Sequence, residues 1–106
     1  MSNNQNIQKF ADAFKALSNP NRLKIYVKLL SQCCFQGICE SDAEACVGDL
    51  SSDLEIVPST VSHHIKELHR AGLIHLERDG QKIVCCTNQE LLDHLREFFV
   101  KPPAVT

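Results

Sequence analysis

Apolar residues recur at helical spacing over Ile7, Phe10, Ala11, Phe14 and Leu17, so the chain opens with an amphipathic helix that needs cover along one stripe. It ends at Ser18-Asn19-Pro20, because proline disfavours helix in the residue before it. Pro20 suits the first turn of a second helix, whose apolar face is predicted at Leu23, Tyr26, Val27, Leu30 and Cys33 and which fades near Cys33 or Cys34. From Phe35 to Cys46 the period is lost, and Gly37, Ser41, Asp42 and several acids predict a loop. A short helix resumes over Val47 to Leu54. The next begins at Pro58 or Ser59, either with proline in its first turn or with a serine cap, and runs to Ala71, where Gly72 stops it. Val61, Ile65 and Leu68 mark its core side.

Beyond Gly72 the period changes from helical to alternating. Ile74-His75-Leu76-Glu77 alternates apolar and polar residues, Asp79-Gly80 signals a two-residue turn, and Ile83 to Cys86 supplies the return strand. With that turn Ile74 lies across from Cys85 and Leu76 across from Ile83, placing Cys85 inward and Cys86 outward as an exposed thiol. Asn88 offers a cap for a last helix carrying Leu91, Leu92, Leu95, Phe98 and Phe99, which stops before Pro102-Pro103. That helix is apolar over more than one packing face needs, and the excess predicts a dimer interface. The fold class is mainly α with a β-hairpin: four helices, a hairpin and a fifth helix.

The totals narrow the class. A length of 106 residues predicts one domain over 1–106, with an ordered core from about 7 to 99, a polar start and a Pro-rich tail. Hydrophobic content of 43% and charged content of 23% match a soluble globular protein. No apolar run is long enough for a bilayer and Met1 to Gln8 lacks the features of a signal peptide, which predicts a cytoplasmic protein with no membrane partner. A net charge of −2 excludes nucleic-acid binding through bulk charge, so any contact with DNA must rest on local geometry.

Two helices joined by a short turn can lay the second in a major groove about 12 Å wide. Opposite Val61, Ile65 and Leu68 lie Ser59, Thr60, His63 and Lys66, with Ser62 and His64 at the flanks, all able to meet base edges or phosphates. The hairpin tip Arg78-Asp79-Gly80-Gln81-Lys82 projects two cations, Arg78 and Lys82, toward neighbouring phosphates or the minor groove, as a wing does. Any one surface cation is ordinarily just solvated. Their shared placement beside one helix is what points to double-stranded DNA.

Four stretches together resemble the ArsR/SmtB family of winged helix-turn-helix repressors: Phe14-Lys15-Ala16-Leu17-Ser18-Asn19-Pro20-Asn21-Arg22-Leu23, Val47-Gly48-Asp49-Leu50, Ser59-Thr60-Val61-Ser62-His63-His64-Ile65-Lys66-Glu67-Leu68, and Ala71-Gly72-Leu73-Ile74 running into the hairpin. The likeness covers roughly Ile7 to Phe99. It implies a homodimer formed through the first and last helices, which binds an inverted-repeat operator and releases it when an inducer arrives.

The inducer is read from the cysteines. Cys33, Cys34, Cys39 and Cys46 fall in one short span, and soft thiolates select thiophilic ions such as trivalent arsenic or antimony, monovalent copper or zinc. Arsenic-responsive members of the family carry Glu-Leu-Cys-Val-Cys-Asp-Leu in the third helix. This chain has Glu44-Ala45-Cys46-Val47-Gly48-Asp49-Leu50, keeping only the first cysteine. Cys34 and Cys39 can complete a three-sulfur site with Cys46 if the loop folds back, with Cys33 in reserve, since adjacent helical residues point about 100° apart. The expected function is thus a thiol-dependent, metal(loid)-responsive repressor released by arsenite or antimonite, with zinc or cadmium as other ligands. A redox- or persulfide-sensing repressor using cysteine pairs is the alternative; four-cysteine structural zinc fits the count but lacks the paired two-residue spacing of zinc ribbons, and a purely architectural DNA-binding module is a further reading. A thiol oxidoreductase does not, because Cys-x-x-Cys and a βαβ pattern are missing, and no enzyme is expected. Family members that bind zinc on the last helix use Asp and His; Asp93, His94 and Glu97 stand here without the second histidine.

Overall fold

The computed structural model describes residues 3–32, 50–79 and 82–104. In chain order it contains α1 (Asn3–Leu17), α2 (Pro20–Gln32), a helical segment over 50–54 (α3), α4 (Pro58–Arg70), the strands β1 (Ile74–Asp79) and β2 (Lys82–Thr87), and α5 (Gln89–Val100). This is the winged helix-turn-helix arrangement that the hydrophobic pattern predicts. The predicted loop from Phe35 to Cys46, the first residues of the third helix, and Cys33, Cys34, Cys39 and Cys46 lie outside the described residues.

Local chemistry sets the element ends. Asn19 caps α2: its side-chain Oδ1 accepts from the Arg22 amide at 3.0 Å and its carbonyl from the Leu23 amide at 2.9 Å, ahead of Pro20 in the first turn. Between α3 and α4 the backbone reverses at Glu55, which sits at φ +55°, and the Ser51 hydroxyl donates to the Ile56 carbonyl at 2.5 Å. Of the two starts predicted for α4, proline in the first turn is the one found; the cap position is Val57 and no side chain caps it. At its other end the Leu73 amide donates to the Leu68 carbonyl and the Gly72 amide to the His69 carbonyl, both at 3.0 Å. That double closure requires Gly72 at φ +81° and brings the fully buried Leu68 and Leu73 together.

Asn88 ties the hairpin to its flanking helices. Its Oδ1 accepts from the Leu91 amide at 3.2 Å as the predicted cap of α5, while its Nδ2 donates to the Gly72 carbonyl at 2.8 Å. Its own amide donates to the Leu73 carbonyl at 3.0 Å.

The core gathers Ala13 and Ala16 of α1, Ile25, Tyr26 and Leu29 of α2, Leu50, then Val61, Ile65 and Leu68 of α4, Leu73, Ile74, Cys85 and Cys86, and Leu91 and Leu95 of α5. The α4 face is the predicted one. The α2 face is the predicted one only in part: Tyr26 is buried and Leu30 packs on the core, but Leu23 and Val27 are 43% and 55% exposed, while Ile25 and Leu29, which the predicted stripe omits, are buried. This helix carries apolar residues on most of its circumference, so two stripes share the same spacing, and packing against α4 selects the one with Ile25 and Leu29. On α1 the small Ala13 and Ala16 face the core, leaving Phe10 and Phe14 half-buried toward α5.

The hairpin register also differs from expectation. Asp79 pairs with Lys82, so Leu76 lies across from Cys85 and Ile74 across from Thr87. Asp79 thus belongs to the strand and not to the turn. The shift preserves face parity, and Cys85 is buried with Ile74 as the alternation predicts. Cys86, expected to be an exposed thiol, is only 6% exposed although it lies on the opposite face with His75.

Candidate nucleic-acid interface

Helix α4 presents its polar side to solvent. Ser59, His63, Lys66 and Arg70 follow one another at steps of four, three and four residues, which places them on a single line along the helix. All four are exposed, Thr60 is exposed on one flank, and Ser62 is half-buried on the other. Arg70 was not among the residues singled out from the sequence, although it continues the Lys66 line by one turn; its Nη1 lies 3.5 Å from the Glu67 carboxylate in an exposed ion pair.

His64 does not share that surface. It is 6% exposed and faces the protein, where Arg22 Nε donates to its Nδ1 at 3.2 Å. With Nδ1 accepting, the neutral ring carries its proton on Nε2. Burial first, then the positive charge of Arg22 and the neighbouring His63 ring at 5.8 Å, lower its pKa from the usual histidine range. The same guanidinium donates from Nη1 to the Ala16 carbonyl at 3.2 Å. One side chain at the start of α2 therefore joins the end of α1 to the back of α4, and His64 positions the polar stripe from behind. No periodicity in the sequence indicates this pairing, because its partners are 42 residues apart.

The segment before α4 is held separately. Leu50 is buried, Leu54 and Ile56 pack on the core, and Lys28 Nζ of α2 lies 3.6 Å from the Asp53 carboxylate. The hairpin brings Arg78 and Lys82 close to its turn end, where Arg78 pairs with Ile83 and Lys82 with Asp79; the tip residues Gly80 and Gln81 lie outside the described residues. The two predicted wing cations are thus on the strands flanking the tip.

A second surface forms where α1 meets α5. Phe10 and Phe98 have ring centroids 5.0 Å apart, Phe14 and Phe98 5.4 Å, and Phe98 and Phe99 5.2 Å. Tilted and edge-on rings at these separations are favourable aromatic geometry. Yet Phe99 remains 71% exposed and Val100 beside it is exposed too, so the aromatic cluster continues to the molecular surface. Among the described residues no three His, Cys, Asp or Glu side chains come together as a metal site, Asp93, His94 and Glu97 included. No described helix is long and apolar enough to cross a membrane.

Residues 19–75 match the family described as bacterial regulatory protein, arsR family. A transcriptional repressor SmtB homolog from Synechocystis is 30% identical over 98 residues, covering 85% of this chain; the match spans 66% of that relative's own length. An arsenical resistance operon repressor from Staphylococcus xylosus is 31% identical over 90 residues, covering 85% of this chain and 76% of the relative. Among solved structures, reduced HlyU from Vibrio cholerae superposes with a TM-score of 0.61 at 27% identity, over 92% of this chain and 94% of that one.

Proposed function

The chain belongs to the ArsR family of bacterial regulatory proteins, not to a family of enzymes, and from that premise we propose that it is a repressor that binds inverted-repeat operator DNA as a homodimer and is released by a soft metal(loid). The observation that carries the DNA-binding role is the exposed line Ser59, His63, Lys66 and Arg70 on a helix pinned from behind by Arg22 and His64. Ser59, Thr60, Ser62 and His63 meet base edges in the major groove, Lys66 a phosphate, and Arg78 and Lys82 the backbone beside it. His64 acts through the others by fixing the helix.

Dimerisation through α1 and α5 is supported by the aromatic cluster that ends in exposed Phe99 and Val100. Two-fold pairing places two reading helices on successive groove segments, which is the symmetry that an inverted repeat matches. The acting compartment is that of the DNA, the cytoplasm.

The inducer is read from donor chemistry. Cys33, Cys34, Cys39 and Cys46 offer thiolates, which suit trivalent arsenic or antimony best and accept zinc or cadmium. The Staphylococcus xylosus relative is named for arsenical resistance. Inducer bound by these sulfurs draws on the segment that leads directly into α3 and α4, so binding alters how α4 is presented. Allosteric couplings of about 1–3 kcal/mol, or roughly 5- to 150-fold in affinity, are typical.

The test uses reduced protein and a labelled duplex selected by it from a randomised pool, followed by fluorescence anisotropy. Arsenite, antimonite, zinc, cadmium and a persulfide are added in separate titrations. Release by arsenite or antimonite, lost on Cys34→Ser, Cys39→Ser or Cys46→Ser, is the expected result. Release by persulfide alone assigns the redox alternative, and no affinity for any duplex refutes the DNA-binding role.

A further inference from the structure

Resting on the DNA-binding role proposed above, we infer that the Val57 side chain is a specificity determinant that packs against the C5-methyl group of a thymine in each operator half-site. Val57 stands at the cap position of α4, the leading end of the helix that would enter the groove, and is 65% exposed. The N-terminal residues of a reading helix are those that approach base edges. In the major groove the thymine methyl is the one apolar mark on a base pair, and an apolar side chain is its recognition partner.

Three features of this chain free Val57 for that contact and hold it still. Helix caps are usually Ser, Thr, Asp or Asn because a side-chain oxygen is wanted there. Here Pro58 follows, which has no amide to satisfy, and the Thr60 and Val61 amides both donate to the Val57 carbonyl, at 2.9 and 3.1 Å. Position 57 makes no side-chain cap bond, so its side chain is not held back against the end of the helix. Pro58 also restricts the backbone of the residue before it, and Val57 is found extended at φ −57° and ψ 136°. A β-branched side chain on a fixed backbone has few rotamers left to lose on binding. Finally, Ile56 packs half-buried against the core but Val57 is not part of it.

The experiment pairs a protein change with a DNA change. The duplex selected by the wild-type protein is remade with deoxyuridine in place of each thymidine in turn, which removes only the methyl. Val57→Ser and Val57→Ile are measured beside wild type, with thermal denaturation as the folding control; serine restores a capping side chain, so its Tm is expected to equal or exceed that of wild type. One methyl's worth of apolar burial predicts about a fourfold weaker Kd when one half-site is changed, and roughly fifteenfold when both are. The expected pattern is that deoxyuridine at one symmetric position weakens wild type and Val57→Ile by these factors. Val57→Ser should start from the weakened level and be indifferent to the same change. A wild type indifferent to every deoxyuridine, a selected half-site with no thymine, or equal deoxyuridine penalties in wild type and Val57→Ser overturns the assignment. A wild type that binds no duplex at all instead sinks the DNA-binding role itself, so the two failures are distinguishable.

Discussion

Replacing Arg22 by methionine keeps the aliphatic bulk of the side chain and removes its guanidinium, which tests whether this one group fastens α1 and α2 to the back of α4. Two bonds disappear, Nε to His64 Nδ1 and Nη1 to the Ala16 carbonyl, each 3.2 Å long. Hydrogen bonds from charged donors contribute about 1.5–3 kcal/mol each, and their length places these two at the lower end, for a total loss of about 3 kcal/mol. Water replaces these bonds only in part, because His64 and Ala16 are 6% and 7% exposed. Against a typical domain stability of roughly 5–15 kcal/mol this is a large fraction, and it corresponds to a fall in Tm of roughly 12–24 °C for a chain of this size. Urea denaturation at pH 7.5 and fixed protein concentration measures it, with unchanged m-values confirming that the denatured states are comparable.

The pH profile supplies a second readout. The pKa of His64 is lowered in the folded protein, by burial first and then by Arg22 and His63. Above the unfolded histidine pKa of about 6.5 both states are neutral and stability is complete; as pH falls through 6.5 toward the folded value the unfolded chain takes up a proton that the folded one resists, and stability is lost. Arg22→Met removes one of the charges that oppose protonation, so its acid-side loss should be shallower than that of wild type. A destabilisation below about 0.5 kcal/mol, the level of an ordinary surface change, would refute the role assigned to Arg22, as would an acid limb identical to wild type.

Asn88→Ala should cost about 2 kcal/mol in urea denaturation by removing both the cap bond to Leu91 and the bond to the Gly72 carbonyl, whereas Asn88→Asp should keep only the first and lose less; equal losses would mean that the cap bond contributes nothing, and an Asn88→Asp as stable as wild type that the Gly72 bond contributes nothing. The Tyr26 hydroxyl is buried without a partner among the described residues, so Tyr26→Phe should be neutral or stabilising by about 1 kcal/mol. Burial pushes the Tyr26 phenol up to about 12, so wild type should lose stability as pH rises from about 10 through that value, and Tyr26→Phe should escape that part of the loss. Phe99→Asp should leave the fold intact, since the ring is largely exposed, yet yield a monomer in sedimentation velocity with weakened operator binding; a persistent dimer would place the interface elsewhere.

Helix limits, the hairpin and the polar line on α4 were legible in the sequence because each is set by neighbours along the chain: Asn19 before Pro20, Pro58 at a first turn, Gly72 in a left-handed closure, Asn88 ahead of α5. The period of 3.6 residues likewise assigned Ser59, His63 and Lys66 to one side and Val61, Ile65 and Leu68 to the other. Tertiary packing alone decided the rest. It chose Ile25 and Leu29 over Leu23 and Val27 as the buried stripe of α2, a choice that local periodicity leaves balanced. It moved the strand register by pairing Asp79 with Lys82 and covered Cys86. It also turned His64 inward to meet Arg22, because that contact exists only once α2 lies across α4 and water has been removed from between them.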